Sequence, residues 1–304
     1  TRRSSDLQDN ESAGARYTQL QMNAQAAISA MELYEAFGET EYLSRGVSFA
    51  RILMACQASA VDPSFSIPLR GYFYENETHE RIQTYYHRSY EHAPIKAFAM
   101  LYRLAPEHED AARWKNSLEL YREYVALTSR TVPYGLLPNG IYELDNTDFS
   151  TITHEGARAA GAPSLEEYNA QVRNGIRLND RFYLRVFPVA YQFRGFHATL
   201  MGRALAAMEL ARALNDREIK QVAVRQMEWI LGCNPFAVSS MYGEGHDYHP
   251  LYAPMSPQLV GAVPVGFETF ENEDQPFYPM QNNATYKEVW VHTTCRVMWL
   301  IAML

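Results

Sequence analysis

The sequence predicts an all-α chain built from helical hairpins, and three observations carry that expectation. The apolar residues of its periodic segments recur every three or four positions. These segments come in pairs of similar length joined by short turns, and alternating β-branched runs are missing between them. Such pairs build either an α-solenoid or an α/α toroid, and periodicity does not choose between the two.

Composition sets the outer bounds. With 304 residues, 47% hydrophobic and 20% charged, the chain is long enough for a large core and reads as one compact domain over residues 16–304 behind a polar tail or linker at 1–15. A formal charge of -8 opposes a sequence-independent grip on nucleic acid and suits a neutral substrate. No run approaches the roughly 20 apolar residues needed to cross a membrane. The cysteines at 56, 233 and 295 have no metal-type spacing, and their odd number excludes a framework in which every one is paired within the chain. The chain begins with Thr1, which leads to the expectation that a leader or a longer N-terminal portion has been removed.

The elements follow in order. Leu20, Ala24, Ala27, Met31 and Tyr34 share one face of a helix over Tyr17 to Phe37 that Gly38 ends, and Val47, Ala50 and Met54 mark its partner over Glu41 to Ala58. After a break holding Pro63, Pro68 and Gly71 comes a polar aromatic patch, Tyr85-Tyr86-His87-Arg88. It leads into a second hairpin over Ala93 to Leu104 and Glu109 to Thr128. Residues 131–180 are irregular apart from a short helix near Leu165 to Arg173, and strands are expected only here. A third pair runs from Phe196 to Leu214 and from Ile219 to Ile230, where Gly232-Cys233-Asn234-Pro235 stops it. The long aromatic loop that follows carries His246, Tyr248 and His249, and a last helix is expected to start at Glu288. Its residues Val289-Thr293-Val297-Leu300 and Trp290-Thr294-Met298-Ile301 are apolar on two faces, which predicts packing on both sides.

Several C-terminal fragments fall in a telling order. Trp-Ile-Leu-Gly-Cys-Asn-Pro-Phe-Ala-Val-Ser-Ser at 229–240, Gly243-Glu244-Gly245, His246 to Pro250, Leu259-Val260-Gly261-Ala262 and Glu288-Val289 resemble the C-terminal pattern of glycoside hydrolase family 9. That family has a Leu-Gly-x-Asn-Pro turn, a Pro-His-His-Arg substrate loop, a Leu-Val-Gly segment and an Asn-Glu-Val catalytic site. Ser89-Tyr90-Glu91 running into Ala97 to Tyr102 is similar to its Tyr-x-Asp-Glu-Leu-x-Trp-Ala-Ala-x-x-Leu-Tyr segment. The resemblance implies an (α/α)6 toroid, incomplete here because its N-terminal helices are missing, and a hydrolase that cleaves β-linked polysaccharide or oligosaccharide with inversion.

The resemblance also assigns residues. Hydrolysis needs one carboxyl group to protonate the leaving oxygen and another to activate water. The family's acid maps onto Glu288. Its base belongs to an Asp-Ala-Gly-Asp motif that this sequence lacks, and Asp6 and Asp9 have the wrong context. Two departures stand out: Lys287 replaces the family's Asn, and His249 sits in Tyr-His-Pro-Leu-Tyr. A cation at Lys287 facing the carboxyl would lower its pKa, where a general acid needs it raised.

His246, Tyr248, His249, Tyr86, His87 and Arg88 are the expected substrate-binding residues. No metal or cofactor is expected, since His246 and His249 lack further ligands of fixed spacing and no phosphate-cradling fingerprint is present. The expected partners are a saccharide and the N-terminal portion of the same protein completing the barrel, and the expected location is outside the cytoplasm. Two other readings stay open: a polysaccharide lyase on the same toroid, using Tyr and His as base and acid, and a non-catalytic carbohydrate-binding or scaffold protein.

Overall fold

A computed structural model describes residues 18–85, 90–146, 164–189, 195–252, 258–270, 273–278 and 284–304. The expected tail at 1–15, with Asp6 and Asp9, lies outside them. Helices dominate: α1 (Gln19–Phe37), α2 (Thr40–Ala55), α3 (Ala93–Leu104), α4 (Ala111–Thr131), α5 (Leu165–Arg173), α6 (His197–Leu214), α7 (Arg217–Ile230), α8 (Ala284–Lys287) and α9 (Val291–Ala302). The all-α hairpin architecture is the one the sequence predicts.

Local chemistry sets the helix ends. Thr18 caps α1 by accepting from the Gln21 N–H at 3.3 Å, and Gly38, at φ +72°, returns its N–H to the Tyr34 carbonyl. Ser164 and Glu167 form a reciprocal capping box on α5. Asp216 accepts from the Glu218 and Ile219 N–H groups at the start of α7. At the far end of α7 the Asn234 amide donates to the Trp229 and Val238 carbonyls at 2.7 and 2.8 Å. That closes the Gly-Cys-Asn-Pro turn as an ordered stop.

The helices form two layers. α1, α3, α6 and α9 lie side by side in that order, and α2, α4 and α7 back onto α1, α3 and α6. α6 is nearly all buried, as a helix walled in by α3, α4, α7 and α9 must be, and small or apolar residues make up most of it. The starts of α3, α6 and α9 share one end. Arg296, in the second turn of α9, donates to the Ala198 carbonyl in the first turn of α6, and Glu91, just before α3, packs on Gly202 of α6.

Between α4 and α6 the chain makes a small antiparallel sheet, β1 (Gly140–Glu143), β2 (Ile176–Arg177) and β3 (Phe182–Arg185), in the order β1-β3-β2, with Ile141 opposite Leu184. Strands are not confined to residues 131–180, however. β3 lies just beyond that stretch, and a two-residue ribbon, β4 (Glu268–Thr269) with β5 (Pro276–Phe277), forms inside the C-terminal loop. Its backbone groups have no helix to join and satisfy one another instead.

Two expectations for the last helix are corrected. Glu288 does not open it: α8 ends at Lys287, residues 288–290 are extended, and α9 begins at Val291. Nor are both of its faces packed, because Val291, Met298 and Ile301 are 79%, 63% and 49% exposed while Val297 and Leu300 sit in the core. The helix stands at one end of the inner row. α1, at the other end, similarly exposes Met22, Leu33 and Phe37.

Phe98 of α3 is fully buried at the middle of the inner row. Phe98→Ala is expected to lower the unfolding free energy by about 3–5 kcal/mol, the usual cost of truncating a core Phe. Urea denaturation checks this, and a loss under about 1 kcal/mol would mean that the row closes over the void.

Candidate active site

The carboxylate singled out by the sequence is placed by a stack of three backbone segments over the start of α6. Phe196 and His197 donate their backbone N–H groups to the Phe267 and Val265 carbonyls at 2.9 and 3.0 Å. Val265 and Gly266 donate in turn to the Glu288 and Tyr286 carbonyls, both at 2.9 Å, and Pro264 pairs with Val289. Glu288 is therefore held by pairing with residues 264–266, and this pairing is what interrupts the helix around it. Its side chain is half-buried, and the Trp290 indole N–H donates to Oε2 at 2.6 Å.

The His197 side chain locks the stack from below. Burial pushes its pKa down to about 3, so the ring is neutral. Its Nδ1 meets the Pro264 carbonyl at 3.2 Å and its Nε2 accepts from the Phe267 N–H at 3.4 Å, which together require the proton on Nδ1. Gly266 has φ +90°, and a Cβ there would lie 2.0 Å from His197 Nδ1. Only glycine fits both the backbone angle and the contact.

The aromatic loop arrives at the same end. Tyr242 exchanges backbone hydrogen bonds with Gly261 and Ala262, Ser239 donates its N–H to the Asp247 carbonyl at 2.8 Å, and Tyr252 donates to the Lys287 carbonyl at 3.2 Å, next to Glu288. His249 stands edge-on to Tyr278 at 4.4 Å, Tyr278 meets Phe267 at 4.7 Å, and Phe267 meets Trp229 at 5.7 Å. A chain of rings thus runs from the core out to His249. Burial first, and the Lys287 ammonium second, hold the His249 imidazole below its ordinary pKa, with Asp247 opposing. Tyr248 is exposed, its ring edge-on to Tyr242 at 5.3 Å, and His246 is exposed at the loop tip. Tyr86, His87 and Arg88 lie outside the described residues.

Lys287 is buried, and desolvation lowers its pKa; its Nζ lies 5.8 Å over the Tyr286 ring. Among the described residues no group of three or more His, Cys, Asp or Glu is gathered in a metal-holding cluster.

Sequence reasoning missed a buried charge cluster behind this end. Arg203 Nη1 lies 3.9 Å from Glu91 Oε2 and donates to Asn139 Oδ1 at 2.7 Å, while Asn139 donates to the Tyr142 hydroxyl at 2.6 Å. Arg296 approaches the same carboxyl from α9, and its guanidinium stacks over Tyr90 at 5.7 Å. Burial pushes Glu91 up to about 8 against the pull of both arginines. The available signal was an arginine amid apolar residues within each of two helices, Leu-Met-Gly-Arg-Ala-Leu and Thr-Cys-Arg-Val-Met.

No protein-family model matches the sequence, and no curated protein matches it. Among solved structures, the fold is similar to the cellulase Cel9M of C. cellulolyticum, with a TM-score of 0.50, 15% identity, and coverage of 92% of this chain and 49% of that one. Endoglucanase CelQ from Clostridium thermocellum, complexed with cellobiose and cellotriose, follows at a TM-score of 0.36, with 16% identity over 93% of this chain and 47% of its own. The protein thus shares the fold of part of a cellulase, and it spans about half the length of the cellulase it matches.

Two predictions follow from this geometry. Gly266→Ala is expected to lower Tm and to detach the segment carrying Glu288, read as faster hydrogen exchange at Val265 and Val289; unchanged exchange would mean that His197 simply moves aside. The second concerns pH. Because the pKa of Glu91 is raised from 4.5 to about 8 on folding, its contribution is fully present below pH 4.5 and is lost as pH rises towards about 8. The groups facing it are Arg203, Arg296, Tyr85, Tyr121 and Tyr124. Glu91→Gln is expected to flatten the decline in unfolding free energy across that window, measured by urea titration at several pH values, and an unchanged slope would assign it to other groups.

Proposed function

We propose that the protein is a glycoside hydrolase acting on β-linked polysaccharide or oligosaccharide by inversion, with Glu288 as its general acid. One observation carries the reading: Glu288 is a half-buried carboxyl group held over the joined starts of α6 and α9, beside the loop that bears Tyr248 and His249, on a fold shared with a cellulase. A proton donor must be fixed in place yet reach the glycosidic oxygen. The Trp290 indole and the pairing with residues 264–266 supply the fixing. His246, Tyr248 and His249 are the proposed sugar contacts, joined by Tyr86, His87 and Arg88 from the stretch before α3. A polysaccharide does not diffuse across a membrane, and for that substrate the proposed place of action is outside the cytoplasm.

The base and the remaining hairpins are proposed to come from the N-terminal portion of the same protein. The supporting facts are the half-length coverage of the cellulase and the apolar faces left open on α1 and α9, the two ends of the inner row. Cys295 is exposed on that face of α9, and in the full-length protein it is expected to react slowly with thiol reagents. Fast labelling there would mean that nothing covers the face.

The activity is tested on the full-length protein with a panel of polysaccharides and reducing-end detection. Glu288→Gln keeps the shape and removes the proton, so turnover is expected to fall by about 10²–10⁴-fold with saccharide binding retained. The loss should shrink on nitrophenyl or fluoride glycosides, whose leaving groups need little protonation. A variant as active as the parent on natural substrate would remove Glu288 from the mechanism, and a lyase product, with its unsaturated end, would replace hydrolysis altogether.

A further inference from the structure

Behind the charge cluster, Tyr72, Tyr85, Glu91, Tyr121, Tyr124 and Asn139, with five other residues, line a cavity of about 20 Å³. That is room for one water-sized molecule, since a single water needs about 10–15 Å³ by this measure. The Glu91 side chain is more than nine-tenths buried, and its Oε2 accepts no hydrogen bond from the protein, because Arg203 stands 3.9 Å away and spends its Nη1 on Asn139. A buried carboxyl oxygen without a partner carries the desolvation cost of that atom. We propose that this cavity binds a single water molecule, held between the Glu91 carboxyl group and the surrounding tyrosine hydroxyls.

The lining decides what enters. A cation would sit beside two guanidiniums, Arg203 and Arg296, that already face Glu91. An anion would meet the carboxyl oxygen first, because neither arginine lines the cavity. A neutral molecule that both donates and accepts suits the set. Glu91 and the Tyr85, Tyr121 and Tyr124 phenols line the same small cavity, so one molecule inside it can meet the acceptor and a hydroxyl together. Its partners come from separate parts of the chain: Glu91 leads into α3, Tyr121 and Tyr124 belong to α4, and Tyr85 lies in the segment between α2 and α3. The water would therefore tie the start of an inner helix to the outer helix behind it. This site is independent of any reaction at Glu288.

A crystal structure at atomic resolution, with parallel bromide and rubidium soaks, tests the site. The expected result is a water within hydrogen-bonding distance of Glu91 Oε2 and at least one tyrosine hydroxyl, with no anomalous peak from either ion. A dry cavity, a Glu91 turned to pair directly with Arg203 or Arg296, or a bromide or rubidium peak would each overturn the proposal. In solution, ¹⁷O relaxation dispersion should count one long-lived water fewer in Glu91→Leu than in the parent protein. If that variant does not fold, Tyr124→Phe serves instead: its crystal structure should keep the water on Glu91 with one hydroxyl contact fewer, and a water indifferent to both groups would sink the assignment.

Discussion

The arrangement of the candidate site depends on one close contact, the Gly266 backbone lying against the His197 ring. Because residue 266 has no side chain, segment 264–267 can settle directly on the start of α6, where a neutral histidine satisfies one carbonyl and one N–H that would otherwise be buried unpaired. The opposite edge of the same segment is then free to pair with residues 286–289. Glu288 owes its place to this second pairing. A protonated imidazole would lose the acceptor at Nε2, so the burial that keeps His197 neutral is part of the same construction.

The inner helices divide the remaining tasks. α6 is buried around most of its circumference and serves as the wall against which α3, α7 and α9 pack. Its one buried arginine, Arg203, sits where Glu91 and Asn139 converge, and Gly202 beside it faces Glu91 and the Arg296 guanidinium. A buried carboxyl between two guanidiniums is costly to desolvate and is weak evidence for stability. Its consequence here is geometric, since it ties together the starts of three helices that carry or border the site.

The ring stack from Trp229 through Phe267 and Tyr278 to His249 gives the long loop a second anchor. A loop poor in regular structure needs such anchoring to hold functional groups in place. Tyr248 and His246 lie outside that stack and are exposed, Tyr248 with one edge against Tyr242.

The sequence by itself determined the helices, their pairing and their stops, because these depend on neighbours three or four residues away. The face of Leu20, Ala24, Ala27 and Met31 is buried as the periodicity predicts, and the Gly232-Cys233-Asn234-Pro235 stop is where it was read. The order of the C-terminal fragments also pointed to the fold that the comparison with Cel9M bears out. What tertiary structure alone decided is how distant segments meet. Residues 288–290 carry a helix-compatible pattern, yet they stay extended because pairing with residues 264–265 captures their backbone groups first. Nor could Arg203 announce its partners: an arginine in an apolar helix signals a buried charge, but Glu91 and Asn139 lie 112 and 64 positions away along the chain, so only packing brings them together. The two apolar faces of α9 give the same lesson in reverse, since apolarity shows that a face can be buried, and only the neighbours present determine whether it is.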